Sequence, residues 1–112
     1  MSKFFALYLA PVSSIDEMMA NASPEQMKAG MDAWMNWIKS HQSALVDMGA
    51  PLGKAKRVTA SGIANGRNEV TGYTIVEAES HEAAAKMFEG HPHLLVKGAY
   101  IDVLAVTPIP GM

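Results

Sequence analysis

The stretch Phe4–Ala10 limits how this chain can fold more than any other feature of its sequence. It is a short run of apolar and aromatic residues that ends at Pro11, which is typical of a β-strand. Alternate side chains of a strand point to opposite faces, and here both faces are apolar. A strand covered on one side only normally alternates with polar residues, so we expect this strand to be covered on both sides. Ala99–Val106 predicts a last strand of the same kind, interrupted by Asp102.

Two helices are predicted between these strands. Ser23-Pro24-Glu25 is a strong helix start, because serine can cap the helix, proline suits its first position and glutamate favours its positive end. Ser80 caps a second helix, which should end near Gly90 because Pro92 prevents its continuation. The first helix runs to about Ser40 with one apolar face at helical spacing, formed by Met27, Met31, Trp34, Met35 and Ile38.

Two further strands are predicted in the middle of the chain. Ala44–Leu52 is extended but interrupted near Gly49 and Pro51, and proline there suggests an edge strand or a bulge. Val70–Ala78 is a clear strand.

Three segments have weaker signals. Ser13–Ala22 is expected to be a loop with at most one helical turn. Arg57–Ile63 is a candidate extended piece, and Asn65-Gly66 is a turn signal.

The resulting order of strands and helices is β-α-β-β-α-β, which predicts an α+β domain of the ferredoxin-like type. In that architecture two helices cover one face of a four-stranded antiparallel sheet and the other face is bare. Because the first and last strands are apolar on both faces, the bare face should not meet water. We therefore expect two sheets to pair face to face in a homodimer.

Composition narrows the class of protein. The 112 residues fit one domain, and the absence of cysteine excludes disulfides, thiolate metal sites and a cysteine nucleophile. The net charge of -2, without a basic stripe, argues against a nucleic-acid partner. No apolar run is long enough for a membrane span or a secretory signal, so we expect a cytoplasmic protein with no membrane partner. The glycines form no phosphate-binding or dinucleotide motif, and we expect no cofactor and no bound metal.

Segments that match a known family in order along nearly the whole chain are Lys3–Tyr8, Ser23–Met27 leading to Ala33–Met35, Ala44–Gly53, Gly72–Ala78 and His91-Pro92-His93. On these segments the chain resembles the YCII-related family, in the branch labelled by a DGPF motif, within the dimeric α+β barrel superfamily. The resemblance implies a homodimeric ferredoxin-like fold, the dimeric α+β barrel, and a His–Asp pair as catalytic groups. The DGPF motif itself is replaced by Ser61-Gly62-Ile63-Ala64-Asn65-Gly66-Arg67.

His91-Pro92-His93 is the most suggestive local motif for chemistry. It follows the second helix, whose negative end favours the protonated form of His91. With a carboxylate nearby, His91 or His93 could act as a general acid or base near neutral pH. Asp47 lies in an otherwise apolar strand and is the carboxylate that we expect to orient one of them. The plain alternative is a loop that ends a helix and carries two polar residues.

Aromatic side chains are the candidate ligand contacts. Tyr8, Tyr73 and Tyr100 lie on three different strands and could place hydroxyl groups around one pocket, or could simply pack the sheet. Trp37 lies beside the apolar face of the first helix and could line a cleft, or could belong to the core.

Two functions remain open from the sequence. The first is a small cofactor-free enzyme that binds a small metabolite and uses the His91, His93 and Asp47 side chains for proton transfer. The second is a small-ligand-binding or accessory protein that has the same pocket and no chemistry of its own.

Overall fold

The computed structural model describes residues 1–111. Short 3-10 turns lie at Gln42–Ala44 and Pro92–Leu95. The strands and helices run in the order β1 (Ser2–Leu9), α1 (Val12–Asn21), α2 (Pro24–Ser40), β2 (Leu45–Pro51), β3 (Ala55–Thr59), β4 (Gly62–Gly66), β5 (Val70–Ala78), α3 (His81–Lys86) and β6 (Tyr100–Ala105).

Four of the strands form one antiparallel sheet in the order β2-β5-β1-β6. The long apolar strands β1 and β5 occupy its centre, where both edges of each strand are paired. This sheet confirms the predicted α+β class and the four predicted strands. β3 and β4 form a separate two-stranded hairpin.

The two faces of the sheet differ in their cover. On β1, Phe4, Ala6 and Tyr8 are buried beneath α2 and α3, whereas the alternate residues are only partly buried. We call the first face the helix face and the second the open face. Within one protomer β1 is thus covered on one side, and its apolar open face is left for another layer.

β2 is an irregular edge strand, as the sequence predicted. Its register against β5 shifts twice, between Leu45 and Asp47 and between Asp47 and Ala50. Gly49 lies in the left-handed region at φ 78°, a conformation that glycine adopts without steric cost.

Two segments differ from the sequence predictions. Residues 12–21, expected to be a loop, form the full helix α1, which carries no side-chain cap at its N-terminal residue Pro11. The candidate extended piece is a hairpin whose turn lies at residues 60–61, so Asn65 and Gly66 belong to β4 and do not form the turn. Asn65 pairs with Lys56 across this hairpin and accepts a hydrogen bond from its ammonium group, which explains why the turn signal was misleading.

α2 begins where the sequence placed it. The Ser23 side chain accepts a hydrogen bond from the Gln26 backbone, and the Gln26 side chain accepts one from the Ser23 backbone, which is a complete capping box. The predicted apolar face of α2 is buried only near the end of the helix. Trp37 is buried near the end of α2, but Met27 and Met31 near its start are both 63% exposed.

Candidate functional site around His91

A short turn after α3 carries both candidate histidines into the protein. Gly90 has φ 70°, which allows the chain to reverse before the 3-10 turn at Pro92–Leu95. His91 precedes that turn, and its Nδ1 accepts a hydrogen bond of 3.0 Å from the backbone N–H of His93. His91 and His93 are 1% and 7% exposed, so both imidazoles lie inside the molecule.

This hydrogen bond fixes the tautomer of His91. Because Nδ1 accepts, it must hold a lone pair, and the proton of the neutral ring lies on Nε2. The Nε2 atom is buried and has no hydrogen-bond partner among residues 1–111. A buried donor without a partner costs roughly 1–3 kcal/mol, so this N–H group is available to an acceptor that the protein itself does not provide.

Aromatic rings surround His91. The centroids of Trp34, Trp37, Tyr8 and Phe88 lie 4.5, 4.7, 4.9 and 6.0 Å from the centroid of the His91 ring. We call these four residues the aromatic cage. The two tryptophans and His91 are in edge-to-face arrangements at interplanar angles of 83° and 62°.

The cage keeps His91 uncharged at neutral pH. Burial lowers the pKa of His91 from 6.5 to about 4, and repulsion from His93 and His41 adds to this effect. The expectation that the end of α3 would favour the protonated ring is wrong. α3 ends at Lys86 and is only six residues long, so burial outweighs its dipole.

His93 has a different role in the turn. Its Nε2 donates a hydrogen bond of 2.8 Å to the carbonyl oxygen of Leu9 at the end of β1. The lone pair of the neutral ring is therefore on Nδ1, which can accept a proton or a hydrogen bond. The site thus pairs the Nε2–H donor of His91 with the Nδ1 atom of His93.

Tyr8 joins the cage to the sheet. Its hydroxyl donates a hydrogen bond of 2.7 Å to Oγ1 of Thr74, which donates one of 3.1 Å to the carbonyl oxygen of Met48. Burial raises the pKa of Tyr8 to about 12, so the hydroxyl keeps its proton. Because the hydroxyl hydrogen of Tyr8 is already donated to Thr74, Tyr8 offers the site only its aromatic ring.

Trp37 packs in the core beside His91. It is 8% exposed, its Nε1 donates a hydrogen bond of 3.1 Å to the carbonyl oxygen of Met87, and its ring stacks on Phe88 and His41. Trp37 forms one side of the cage, and its Nε1–H group already has a hydrogen-bond partner.

A shallow groove adjoins the cage. It lies between α3 and β6 and has a volume of about 250 Å³. Its lining includes Phe88 of the cage and Leu94 of the histidine turn, together with Ile101 and Val103 of β6. Phe88 therefore separates this groove from the imidazole of His91.

The structure does not bring Asp47 to either histidine. Asp47 pairs with Ile75 on the open face, where its carboxylate accepts hydrogen bonds from the Gly49 backbone at 2.8 Å and from the Tyr73 hydroxyl at 3.4 Å. The sheet lies between this carboxylate and the histidine turn. The expected orientation of a histidine by Asp47 is corrected accordingly, because the Nδ1 of His91 is already held by the backbone of its own turn.

The three tyrosines do not converge on one pocket. Tyr8 lies on the helix face, whereas Tyr73 and Tyr100 pair with Leu7 and Leu9 on the open face. Tyr100 donates a hydrogen bond of 2.5 Å to the Glu69 carboxylate.

Two members of the cage were not predicted. The sequence places Trp34 on the apolar face of the first helix and Phe88 within the second predicted helix, without a link to His91. Their contact depends on the angle between α2 and the histidine turn, which residue spacing along one helix does not define. The signal that was available was the spacing of three between Trp34 and Trp37, which places both rings toward one side of α2.

Comparisons with known proteins support the fold. No family model matches the chain, and no curated protein matches it. One similar structure is the 5-chloro-2-hydroxyhydroquinone dehydrochlorinase TftG from Burkholderia phenoliruptrix AC1100, solved in complex with 2,5-dihydroxybenzoquinone. It has 16% sequence identity and a TM-score of 0.50, and the match covers 89% of this chain and 90% of TftG.

A second similar structure is At3g17210 from Arabidopsis thaliana, with 12% identity, a TM-score of 0.47, and coverage of 97% of this chain and 98% of that one. TftG has a dimeric α+β barrel fold, and this chain shares the subunit fold with it.

No helix within residues 1–111 is both long and apolar enough to cross a membrane.

Proposed function

We propose that this protein is a small-molecule enzyme that moves a proton on a carbonyl compound without a cofactor. The observation that carries the proposal is the buried Nε2–H group of His91, which has no partner among residues 1–111 and lies inside a cage of aromatic rings. TftG shows that an enzyme can be built on this fold. We also propose that the chain belongs to the YCII-related family and functions as a cytoplasmic homodimer.

The two histidines divide the chemistry. His93 Nδ1 takes the proton from a carbon next to the carbonyl group, and the electron pair of that C–H bond moves onto the carbonyl oxygen. His91 donates its Nε2–H hydrogen bond to this oxygen as its negative charge develops. Where a C=C bond lies next to that carbon, the carbonyl group re-forms, the C=C bond shifts into conjugation with it, and return of the proton from His93 to the far carbon of the original C=C bond completes an isomerisation.

A neutral imidazole suits the donor role. His91 has a pKa of about 4, so at neutral pH it neither loses nor gains a proton during the reaction. A neutral donor with a fixed tautomer can stabilise an oxyanion in an apolar site where charge interactions are strong. The cage excludes water and offers ring edges and faces to a flat substrate.

The groove between α3 and β6 is the proposed entrance. A ligand that binds there reaches the cage when the Phe88 ring rotates away, because Phe88 lines both spaces. A flat cyclic carbonyl compound or quinone fits an apolar groove of about 250 Å³ better than a charged chain does.

A non-catalytic ligand-binding protein is the second candidate. The low pKa of His91 favours it, because a permanently neutral donor can hold a ligand oxygen without any proton transfer. The two functions share the cage and differ in whether His93 exchanges a proton with the ligand.

The test uses 2,5-dihydroxybenzoquinone as the probe, because its enol can take up a proton at the ring carbon next to a carbonyl group and then lose either of the two protons on that carbon to His93. We expect it to quench the fluorescence of Trp34 and Trp37, which are the only tryptophans in the chain. We expect the protein in D2O to speed the loss of the ring C–H signal in proton NMR. His91→Phe should abolish binding, whereas His93→Gln should keep binding and lose the exchange.

Asp47→Asn and Tyr73→Phe are the matched controls, because both residues lie on the open face. Neither substitution should change binding or exchange. If these two variants lose binding while His91→Phe retains it, the ligand binds on the open face and the proposal is wrong. Binding without exchange in the wild type would favour the non-catalytic function.

A further inference from the structure

Two segments of the chain project from the core with exposed apolar side chains. The first, which we call the arm, comprises residues 12–36, that is, α1 and the first three quarters of α2. The second, which we call the hairpin, comprises residues 54–67 with β3 and β4. On the arm, the exposed fractions are 44% for Met18, 75% for Met19, 63% for Met27, 63% for Met31 and 43% for Met35.

The hairpin carries a smaller apolar patch. Val58 and Ile63 are directly opposite each other across β3 and β4, so their side chains share one face. They are 73% and 76% exposed. An apolar cross-strand pair stabilises a hairpin in water only weakly, so this face needs a further layer to be covered.

The protomer exposes more surface than is expected of a folded monomer of its mass. Its accessible surface area is 8006 Å², whereas a folded monomer of 12.0 kDa is expected to expose about 6000 Å². The difference of about 2000 Å² per protomer is more than the ~800 Å² that each partner buries in a standard interface. It lies in the range of obligate dimers.

The arm and the hairpin carry opposite charges. Residues 12–36 contain four acidic side chains, Asp16, Glu17, Glu25 and Asp32, and one basic side chain, Lys28. Residues 54–67 contain four basic side chains, Lys54, Lys56, Arg57 and Arg67, and no acidic one. One pair already joins the two segments within the protomer, since the guanidinium of Arg67 contacts the Asp16 carboxylate.

We propose that the arm of one copy packs on the hairpin of a second copy, and that the reverse contact forms by two-fold symmetry. The methionine face of the arm covers the Val58–Ile63 patch, and the acidic side chains of the arm face the basic side chains of the hairpin. This contact is additional to pairing of the open sheet faces, because the arm and the hairpin lie outside the four-stranded sheet. Part of the excess area belongs to the open face, where Tyr100 and Leu104 are 41% and 48% exposed. Methionine suits such a surface because its unbranched side chain adapts to an irregular partner.

A second copy of this chain fits the surface better than a membrane does. The acidic side chains beside the methionines would be repelled by anionic lipid headgroups. The same side chains are complementary to the hairpin, which the second copy supplies at the same concentration.

The test measures the dimer dissociation constant by sedimentation velocity on the full chain. We expect the wild type to be dimeric at micromolar concentration. The arm variant Met27→Gln with Met31→Gln and the hairpin variant Val58→Gln with Ile63→Gln should each raise Kd at least about tenfold. Leu95→Gln is the control, because Leu95 is 87% exposed but lies outside both segments, and it should leave Kd unchanged.

Charge reversal tests the pairing of the two segments directly. Lys54→Glu with Lys56→Glu should raise Kd, and Glu17→Lys with Asp32→Lys should do the same. The two sets combined in one chain should return Kd toward the wild-type value, because the charges are again complementary. This rescue also excludes misfolding as the cause of the separate losses.

Three results would overturn the proposal. The first is a wild-type protein that stays monomeric at 100 μM, whether or not it co-sediments with phosphatidylglycerol vesicles. The second is a dimer whose Kd is the same in the wild type, the arm variant and the hairpin variant. The third is combined charge reversal that weakens the dimer further than either set alone.

Discussion

At the scale of single residues, burial decides the chemistry of His91. The His93 backbone N–H holds its Nδ1 at 3.0 Å, and the cage removes water from the other side of the ring. A charged His91 ring would lack hydration inside the cage and would be repelled by His93, so the pKa of His91 falls to about 4. The sequence identified His91-Pro92-His93 as the key motif but gave the wrong charge state, because a sequence does not show how deeply a loop is buried.

His91 should make stability depend on pH. Its pKa is about 4 in the folded protein and about 6.5 in the unfolded chain, so the unfolded chain binds more protons between these values. The stabilisation from the neutral ring is complete above pH 6.5 and is lost as the pH falls toward 4, by roughly 3 kcal/mol. Urea unfolding at pH 7 and pH 4.5 should therefore show a smaller pH effect in His91→Phe than in the wild type. Equal pH effects in the two proteins would mean that His91 is not buried and neutral.

Tyr8 should contribute through its hydroxyl as well as through its ring. Tyr8→Phe removes the hydrogen bond to Thr74 and leaves the aromatic packing in place. We expect the free energy of unfolding to fall by about 1 kcal/mol, measured by urea denaturation. Tyr73→Phe is a suitable comparison, because its hydroxyl bond to Asp47 is 3.4 Å long and exposed, and should cost less.

At the scale of strands and helices, the well-predicted parts are those with local signals. The helix start at Ser23, the central strands and the irregular edge strand all follow from neighbouring residues. Asp47 was misplaced relative to the histidines because its position depends on pairing across the sheet and on two register shifts, and one shift exchanges the faces of a strand. α1 was missed because its first turn has no side-chain cap.

Gly49 should be essential for β2. A Cβ atom at this position would lie 1.6 Å from the carbonyl oxygen of Tyr73, and its φ of 78° disfavours other residues. We expect Gly49→Ala to destabilise the protein by several kcal/mol, seen as a fall in Tm and faster hydrogen exchange in β2 and β5. Gly53→Ala is the matched control, because a Cβ there meets nothing within 4 Å, and its Tm should stay close to that of the wild type.

At the scale of the whole molecule, the protomer is a flat body with extents of 47 × 44 × 19 Å. Its thickness is that of one sheet with one layer of helices, and one face of the sheet has no layer over it. The sequence predicted this architecture from strands that are apolar on both faces. It could not predict the projecting arm, because the residue pattern of α2 shows the same apolar face whether the helix packs on its own sheet or extends past it.

Salt should weaken association if opposite charges hold the arm and the hairpin together. The Debye length falls from about 10 Å at 0.1 M salt to about 3 Å at 1 M, which screens pairs at the protein surface. We expect Kd from sedimentation to rise several-fold between 0.05 and 0.5 M sodium chloride. A Kd that falls with salt would indicate an interface held by apolar contact alone.

The proposed chemistry depends above all on His91 being a neutral hydrogen-bond donor inside the aromatic cage. Nitrogen-15 NMR of the histidine rings, recorded from pH 8 to pH 4, tests this most directly, with His91→Phe used to assign the signal. We expect a neutral ring with its proton on Nε2 that does not begin to charge until the pH approaches 4. A His91 ring that titrates near 6.5, or that carries its neutral proton on Nδ1, would contradict this assignment.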